Sequence, residues 1–231
     1  MATYNGSRYL REQLNSILCQ LLPNDELIVS DDNSTDDTRS IVESYKDRRI
    51  LLICNPSTRG HIRNFANAMA KARGEFIVLS DQDDIWVEHR LERMLRLLQR
   101  SPQSSLAVGD LVELDQRGLR RVERRLGPSP SSNQYQLIRV FLGKAKYFGS
   151  AFVFHRSLMR YVLPIPASVE AHDIWIAMNA CIHGGVVHLE ETTLLRRLHG
   201  GNLTPERRRA LPAILRSRLR YCWALLQTCL R

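Results

Sequence analysis

Short apolar runs alternate with helix-spaced apolar residues through the first half of the chain. Three runs have the pattern of buried strands, and four stretches repeat apolar residues at helical spacing. The predicted strands are 26–30, 50–54 and 76–80, and the predicted helices are 10–21, 38–45, 62–73 and 87–99. Strands that alternate with helices are typical of βαβ units, whose strands run parallel. The pattern therefore predicts an α/β fold with a mostly parallel central sheet flanked by helices.

The second half of the chain is less regular. The predicted strands are 104–114, 147–155, 185–189 and 192–197, and the predicted helical segments are 134–142, 157–162 and 172–182. Residues 117–133 are rich in Gly, Pro, Ser and Arg, so we expect a mobile surface loop there. The composition changes again at Pro205. We therefore expect one domain over 1–204, with halves at about 1–100 and 101–204, followed by a basic amphipathic C-terminal helix over 205–231.

The positive charge of the chain is concentrated at its C-terminal end. The 231 residues carry a formal net charge of +9. Residues 205–231 contain seven Arg and one Glu and account for +6 of that charge. A charge confined to one segment, without aromatic residues interleaved along a sheet face, argues against nucleic-acid binding.

The cysteines and the hydropathy pattern favour a cytoplasmic protein. The five cysteines show neither a C-x-x-C pair nor a zinc-ligand spacing. Each lies in an apolar stretch, so we expect reduced, buried thiols. No stretch resembles a signal peptide, and no apolar run approaches the ~18 residues of a membrane-spanning helix.

Acidic clusters follow two of the predicted strands. The first acidic cluster is Asp31–Asp37, and the second is Asp81–Asp84. Ligands of open parallel sheets bind at the carboxyl ends of the strands, so both clusters should face one crevice. Carboxylates this close repel one another, and a divalent cation relieves the repulsion. The pattern predicts Mg²⁺ or Mn²⁺ holding a diphosphate while the bond to its leaving group breaks.

Structural explanations for the two clusters remain open. Ser34 or Asp36 would cap the helix that begins near Thr38. The second acidic cluster is harder to explain as a simple turn. Its four polar residues interrupt an apolar segment without any Gly or Pro.

Five segments occur in an order and at spacings that resemble a known family. They are Met1–Gly6, Asp31–Asp36, Asn55–Gly60, Gly74–Trp86 and His172–Trp175. Together they resemble family-two inverting glycosyltransferases with the GT-A fold, in particular the rhamnosyltransferase-like branch. The resemblance covers about residues 1–204 and implies a nucleotide-binding first half and an acceptor-binding second half. It also implies dTDP-rhamnose or a UDP-sugar as donor and a saccharide or lipid-linked hydroxyl as acceptor.

The resemblance implies roles for individual residues. The nucleotide-binding residues would be Thr3, Tyr4, Asn5, Asp31, Asp32, Arg63 and Asp81. Asp83 and His199 would bind the metal, and Asp173 would be the general base that takes the proton from the acceptor hydroxyl. The donor and acceptor pocket would contain Asp84, Trp86, Gly149, Ser150, His172 and Trp175.

Several of these residues also have ordinary structural explanations. An acid such as Asp173 is favoured by the dipole at a helix N-terminus, and a His before Gly-Gly is common in turns. Trp86 and Trp175 would pack in a core as readily as in a sugar pocket. Arg196 and Arg197 suit a diphosphate as well as they suit a solvated surface.

Two features depart from the family pattern. Relatives have several apolar residues before the stretch that matches Ala2–Gly6, so we expect the first strand to be almost absent here. Either the start lies upstream, or the sheet lacks a central piece and the nucleotide pocket is weakened. The Arg-rich segment 117–125 is more basic than a simple acceptor loop requires. A truncated, catalytically inactive relative that only binds nucleotide is therefore an alternative.

The C-terminal segment interleaves apolar and basic residues from Pro205 onwards, with Pro212 marking the start of a regular helix. A basic amphipathic helix with a Trp is typical of a membrane-surface anchor. Peripheral contact with the inner face of the cell membrane would suit a lipid-linked acceptor in cell-surface polysaccharide or glycolipid synthesis. A helix packed on the domain with a solvated arginine face explains the pattern equally well.

Two other classes of protein share some of these features. A nucleotidyltransferase also combines an α/β sheet with metal-binding acids, but Asn5–Arg8 is a poor version of a Gly-rich phosphate loop. A receiver-like signalling domain needs a Lys opposite its phosphoryl-accepting Asp. No lysine of this chain follows a predicted strand at the required place.

Overall fold

The computed structural model describes residues 1–56, 60–115, 118, 120–121, 126–145, 147–202 and 211–229. The strands are β1 Ala2–Thr3, β2 Leu27–Asp31, β3 Ile50–Cys54, β4 Phe76–Val78, β5 Ile85–Trp86, β6 Leu106–Leu114, β7 Arg120–Arg121, β8 Phe152–His155 and β9 Val186–Arg197. The helices are α1 Ser7–Leu18, α2 Thr38–Ser44, α3 His61–Lys71, α4 Arg90–Gln99, α5 Asn133–Phe141, α6 Met159–Val162, α7 His172–His183 and α8 Leu211–Cys229. A 3₁₀ turn over Gly149–Ala151 precedes β8.

The first three strands form a parallel sheet in the order β1–β2–β3. β2 is buried along its whole length, as expected of a parallel strand whose two faces are both covered. The apolar face of α1 belongs to the same core, where Leu10, Leu14 and Ile17 are fully buried. The predicted α/β class and the parallel arrangement of this half are confirmed.

The second sheet is mixed rather than parallel. Its order is β4–β8–β6–β9–β5, with β7 beside β6. Among its described strands, β6 and β9 pair in parallel, and the other four pairings are antiparallel. The parallel arrangement predicted from the first half of the chain does not extend to this half, because periodicity identifies a strand but not its direction. The two strands predicted at 185–189 and 192–197 are one strand, β9, and a register shift around Asp110 absorbs the interruption.

The short first strand is nevertheless fixed in place. The Ala2 N–H donates to the Ser80 carbonyl oxygen at 3.4 Å, and the Met1 amino group donates to the Ile28 carbonyl oxygen at 2.8 Å. A cavity of about 560 Å³ lies beside Met1 and is lined by residues of both β2 and β4. The loop after β1 is therefore held between the ends of β2 and β4, where the two acidic clusters begin.

The second half of the chain buries its core between the mixed sheet and helices α5, α7 and α8. Phe152 and Trp175 are fully buried there, and Tyr221 and Ala224 of α8 join the same cluster. The C-terminal helix therefore packs on the domain, as one of its two explanations requires. Residues 205–210 of the predicted helix and most of the Arg-rich segment 117–125 lie outside the described residues. None of the helices described has the length and apolar character needed to cross a bilayer.

The cysteines are only partly buried. Cys181 is buried in α7, whereas Cys19, Cys54 and Cys222 are exposed, and all four are free thiols. The expectation of buried thiols is wrong for these three because an apolar stretch of sequence also includes the positions that face away from the core.

Candidate active site

Gln82 joins the loops that follow β1 and β4. Its side-chain oxygen accepts a hydrogen bond from the Tyr4 N–H at 2.8 Å, and its amide nitrogen donates to the Tyr4 carbonyl oxygen at 3.0 Å. Gly6 lies directly against this amide, since a Cβ at position 6 would stand 2.2 Å from Gln82 Oε1. The Tyr4 side chain is 44% exposed at this junction. The first loop and the second acidic cluster therefore form one edge, as their positions at strand ends predict.

The carboxylates that begin the first acidic cluster make internal hydrogen bonds. Asp31 is fully buried and accepts bonds from the Thr3 hydroxyl at 3.0 Å and from the Ser34 hydroxyl at 2.6 Å. Asp32 is 5% exposed and accepts a bond from the Asn55 amide at 2.9 Å. Thr3, Asp31 and Asp32 thus shape the loops around the predicted nucleotide pocket. Their direct contact with a nucleotide stays a prediction.

Asp36, rather than Ser34, provides the hydrogen bond expected at the start of α2. Its carboxylate accepts the Thr38 N–H at 3.0 Å and the Ser7 N–H at 3.1 Å. Burial acts to raise the pKa of Asp36, but the hydrogen bonds from Thr38 and Ser7 outweigh it and lower this pKa to about 2. Asn5 has a φ of 45°, and its side-chain oxygen accepts a bond from the backbone of the first acidic cluster at 2.8 Å. The first loop is therefore tied to both clusters.

The second acidic cluster brings repelling carboxylates together. Burial and the Asp83 charge raise the pKa of Asp81 to about 7, and Asp173 contributes to the same rise. Asp84 is 2% exposed, and burial together with the Asp81 and Asp83 charges raises its pKa well above the ordinary value. A cation at this cluster would favour the ionised carboxylates, as the sequence analysis predicts.

A chain of contacts fixes His199 beside Asp83. His199 Nε2 lies 2.8 Å from Asp83 Oδ2. The Tyr9 ring stacks on the His199 imidazole with 4.9 Å between the ring centroids, and the Arg197 guanidinium carbon lies 4.9 Å from the Tyr9 centroid. Glu12 holds Arg197 by an ion pair of 2.6 Å. The two residues predicted to bind the metal therefore meet although they are far apart in the sequence.

The Asp83–His199 pair fits a small, hard cation. It brings a carboxylate oxygen and an imidazole nitrogen to one point, and Asp81 belongs to the same cluster. Within the described part of the chain, no three His, Cys, Asp or Glu side chains form a complete metal cage. Mg²⁺ is commonly bound through one or two carboxylates and completes its shell with substrate phosphates and water. The side chains present therefore suit an ion shared with a diphosphate.

Arg196 and Arg197 are not a solvated surface pair. Arg196 is 9% exposed, forms an ion pair with Glu113 at 3.2 Å and lies 4.7 Å from the Phe148 ring centroid. The Arg197 N–H donates to Asp84 at 3.1 Å. The positive charge of Arg196 also acts to lower the pKa of Asp81. Both arginines therefore belong to the wall of the acidic crevice.

A fully buried arginine, Arg90, lies beside the second acidic cluster. Its guanidinium lies 4.4 Å from the Trp86 ring centroid and donates a hydrogen bond to the Ser150 carbonyl oxygen. Burial lowers the pKa of Arg90 to about 9, whereas the charge of Asp84 acts in the opposite direction. Arg90 therefore connects the acidic cluster to the 3₁₀ turn that holds Gly149 and Ser150.

Asp173 and His172 stand at the N-terminus of α7, against Gly149. A Cβ at position 149 would lie 2.6 Å from His172 Nε2 and 3.5 Å from Asp173 Cβ. The His172 ring stacks on Phe65 at 4.2 Å, and neither of its buried nitrogens has a hydrogen-bond partner among the described residues. Burial and His61 lower the pKa of His172 to about 3, so the ring is neutral. Burial raises the pKa of Asp173 to about 6.

Trp86 and Trp175 lie in the hydrophobic core instead of a sugar pocket. Trp86 is 5% exposed in β5, and Trp175 is fully buried and donates its indole N–H to the Val162 carbonyl oxygen at 3.0 Å. The expectation that they line the donor and acceptor pocket is therefore wrong. Each follows a predicted site acid closely in sequence, but its ring belongs to a cluster of buried hydrophobic residues.

Arg63 lines a cavity whose described lining contains no residue of the second acidic cluster. It is exposed on α3, and this second cavity of about 590 Å³ is also lined by Asn55, Pro164 and Val169. Asn55 also bonds to Asp32, so this cavity adjoins the first acidic cluster. Part of the Asn55–Gly60 segment, residues 57–59, lies outside the described residues.

Three residues that sequence reasoning missed organise the site: Gln82, Arg90 and Tyr9. Gln82 stands between two predicted site acids, Asp81 and Asp83, and a neutral amide at that position carries no sequence signal of its own. Arg90 had a detectable signal, because it shares the buried face of α4 with Met94 and Leu98 at helical spacing. Tyr9 gave no signal in the sequence, since its contact with His199 arises only from tertiary structure.

An α/β fold of this kind, with acidic residues at the ends of its strands and a buried acid facing them, defines a GT-A type of transferase. Residues 1–163 match Glycosyl transferase family 2. The match covers more than half of the chain, and the chain therefore belongs to this family of glycosyltransferases. The rhamnosyltransferase-like branch stays a prediction.

Several similar sequences bear the names of bacterial glycosyltransferases. The UDP-Glc:alpha-D-GlcNAc-diphosphoundecaprenol beta-1,3-glucosyltransferase WfgD of Escherichia coli is 36% identical over 98 residues, which are 42% of this chain and 39% of WfgD. The uncharacterized glycosyltransferase alr2836 of Nostoc sp. is 26% identical over 211 residues, which are 87% of this chain and 64% of that protein. The chain thus spans less than two thirds of the length of these curated relatives.

Solved structures confirm the GT-A fold. TarS from S. aureus, in complex with UDP-GlcNAc, has a TM-score of 0.69 and 21% identity, over 87% of this chain and 58% of that one. The mannosyltransferase PcManGT from Pyrobaculum calidifontis, in complex with GDP-Man and Mn²⁺, has a TM-score of 0.63 and 19% identity, over 99% and 71% of the two chains.

Proposed function

We propose that this glycosyltransferase transfers a sugar from a nucleotide diphosphate to an acceptor hydroxyl with inversion at the anomeric carbon. The proposal rests on two sides of the site that lie near each other: one carries the proposed metal ligands, and the other carries the proposed general base. Asp83 and His199 form the first, and Asp173 forms the second.

The charge of Asp173 acts to raise the pKa of Asp81. Asp173 also lies against Gly149, and the neighbouring Ser150 carbonyl oxygen accepts a hydrogen bond from Arg90 beside the second acidic cluster. We propose that the two sides face one reaction space.

Asp173 is the proposed general base. Burial raises its pKa to about 6, which leaves it ionised at neutral pH and basic enough to assist proton removal. The acceptor hydroxyl gives its proton to Asp173, its oxygen bonds to the anomeric carbon, and the bond from that carbon to the diphosphate breaks. The nucleoside diphosphate leaves with the electron pair of the broken bond. Attack from the face opposite the leaving group inverts the anomeric centre.

Mg²⁺ or Mn²⁺ is the proposed cofactor, with Asp83 and His199 as its protein ligands. When bound, the ion would neutralise charge that develops on the departing diphosphate. Tyr9 and Arg197 keep His199 in place for this role. The complex of PcManGT with GDP-Man and Mn²⁺ supports the proposal for a related fold.

The proposed nucleotide pocket is lined by Tyr4, Asn5, Asp32, Arg63 and Asp81. Tyr4 and Arg63 are exposed enough to contact a ligand directly. Thr3 and Asp31 have almost no exposed surface, and we propose that they support the pocket from beneath. Gly149 and Ser150, with Asp84 and His172, are the proposed wall on the sugar side.

Two donors are proposed. A UDP-sugar is supported by the UDP-Glc activity of WfgD and by the complex of TarS with UDP-GlcNAc. dTDP-rhamnose is supported by the resemblance to the rhamnosyltransferase-like branch. The proposed acceptor is a saccharide or a lipid-linked sugar in cell-surface polysaccharide or glycolipid synthesis, as the diphosphoundecaprenol acceptor of WfgD suggests. We propose that the enzyme acts in the cytoplasm, at the inner face of the membrane.

The test is calorimetric titration of the chain with UDP and with dTDP, first with Mn²⁺ and then with EDTA. Binding that requires Mn²⁺ supports the site, and the preferred base selects the donor. Transfer to a lipid-linked acceptor, with the product anomer assigned by NMR, then tests the chemistry. Nucleotide binding without transfer from any donor would favour the catalytically inactive alternative. A folded chain that binds neither nucleotide would contradict both the proposed transferase and the catalytically inactive nucleotide-binding alternative.

A further inference from the structure

Helix α8 exposes a stripe of apolar side chains. The stripe consists of Leu215, Leu219, Trp223 and Leu226, whose exposed fractions are 63%, 63%, 59% and 58%. These residues recur every three or four positions and therefore lie on one face of the helix. Large side chains exposed together along about three turns are unusual for a surface that faces only water.

The opposite face of α8 is buried against the domain and therefore keeps the stripe turned outward. Ser217, Tyr221 and Ala224 are buried against the core. The Tyr221 hydroxyl accepts a hydrogen bond from the Ala171 N–H at 2.9 Å. The helix is therefore docked by a narrow face of small residues and one tyrosine. Rotation that would bury the stripe would remove these contacts.

Arginines border the stripe on both sides. Arg216 and Arg220 are exposed along one border, and Arg218 lies along the other, with its guanidinium 5.8 Å from the Phe141 ring centroid. Residues 211–229 contain no Asp or Glu. An exposed apolar arc between rows of arginines, with a tryptophan at its surface, combines the two attractions that hold a helix on an anionic membrane.

We propose that the α8 stripe docks on an anionic lipid bilayer, with the helix axis in the plane of the interface. The apolar side chains would enter the acyl boundary while the arginines contact lipid phosphates. The positive charge of α8 favours an anionic bilayer over a second copy of this chain as the partner of the stripe. Residues 211–229 carry three Arg and no Asp or Glu, so an isologous contact would oppose two positive surfaces.

Membrane docking would also bring the acceptor side of the active site to within about one helix diameter of the lipid surface, an extension that rests on the proposed function. Tyr221 bonds to the backbone of Ala171, two residues before Asp173. Arg220 pairs with Glu170 in the same segment at 2.5 Å. The helix that contacts the bilayer therefore directly supports the N-terminus of α7. A hydroxyl carried by a membrane-anchored lipid would have to extend past α8, a distance of about 10–12 Å, to reach Asp173.

Tryptophan fluorescence provides a direct test. Of the three tryptophans, Trp86 and Trp175 are buried and Trp223 is 59% exposed, so a change on lipid binding reports Trp223. We expect vesicles of phosphatidylglycerol and phosphatidylcholine to shift its emission to shorter wavelength and to protect it from acrylamide. Vesicles of phosphatidylcholine alone should bind at least tenfold more weakly, and high salt should reduce binding to the mixed vesicles.

Variants separate the apolar from the basic contribution. Vesicle sedimentation should show at least tenfold weaker binding for Leu219→Ser combined with Leu226→Ser. Arg216→Gln should weaken binding about fivefold. The matched control is Leu22→Ser, because Leu22 is 67% exposed outside α8 and its loss should leave binding unchanged. Circular dichroism would verify that each variant keeps its helix content.

Three outcomes would overturn the proposal. They are equal binding of the stripe variants and the wild type, no shift of Trp223 emission with anionic vesicles, and a concentration-dependent dimer that Leu219→Ser dissolves. The last outcome would assign the stripe to a second copy of the chain. Nucleotide binding is measured separately in the same samples. Lipid binding without nucleotide binding would contradict the proposed function but not the membrane contact.

Discussion

Gly149→Ala tests whether the position of Asp173 matters for transfer. The added methyl group would lie 2.6 Å from His172 Nε2, and ordinary contact begins at 3.4 Å, so the ring or the turn must move by about 0.8 Å. The ring has little room, because it is 8% exposed and stacks on Phe65. The methyl group therefore pushes on the N-terminus of α7, which also holds Asp173.

The expected effect on rate is larger than the effect on folding. Overpacking a buried position by one methyl group costs about 1–3 kcal/mol, which is a drop in melting temperature of roughly 2–12 °C for a chain of this size. Displacing a catalytic group by ~1 Å can reduce the rate by about 10²-fold. Nucleotide binding should be unchanged, since the proposed metal ligands and the nucleotide pocket lie on the other side of the crevice.

The assay is release of nucleoside diphosphate under saturating donor, combined with calorimetric titration of nucleotide. Gly127→Ala is the matched control because no atom lies within 4 Å of the added Cβ. His172→Ala removes the obstruction, so adding Gly149→Ala to that variant should cause little further loss of kcat. A folded Gly149→Ala enzyme with a kcat within threefold of wild type would refute the assignment of Asp173 as the positioned base.

The other predictions concern the metal, the base and the buried arginine. Asp83→Ala should bind nucleotide equally in Mn²⁺ and EDTA, as measured by calorimetry; retained metal dependence would remove Asp83 from the site. Asp173→Asn should keep nucleotide binding and lose about 10²–10⁴-fold in transfer. With Asp173 as the proposed base and its pKa at about 6, the wild-type kcat should rise with pH and reach half its maximum near pH 6. Burial raises this pKa above the ordinary value of 3.8, so the contribution of Asp173 to stability should fall as the pH rises from about 4 to 6, and Asp173→Asn should remove that part of the pH dependence. Arg90→Gln should lower the free energy of unfolding in urea by about 1–3 kcal/mol, because it removes the guanidinium contacts with the Ser150 carbonyl oxygen and the Trp86 ring; an unchanged free energy of unfolding would contradict a stabilising role for these contacts.

The elements of the first half could be predicted because periodicity and local composition determine them. β2 and β3 lie where apolar runs end in polar residues, and α1 lies where leucines recur on one face. Positions at strand ends also predicted that Asp31 and Asp81 would share one edge. The directions of β4, β5 and β8 could not be predicted, because they depend on which distant strand each one meets.

The roles within the site were less accessible to sequence reasoning. Asp31 and Asp83 both lie in acidic clusters, but the first is saturated by internal hydrogen bonds and the second meets His199. Trp86 and Trp175 follow the functional motifs and nevertheless point into the core. A motif fixes where a residue occurs along the chain, whereas burial and hydrogen bonding decide what its side chain can contact.

The arginines around the crevice explain why the second acidic cluster still requires a ligand. Arg196 pairs with Glu113 and Arg197 pairs with Glu12, so much of their charge is directed at acids outside the cluster. Arg90 is fully buried, and the charge of Asp84 acts on its pKa. The carboxylates of the second acidic cluster and Asp173 therefore outnumber the positive charges available to them. Charge that the fold leaves unbalanced at an accessible edge remains available for a cation and the diphosphate that accompanies it.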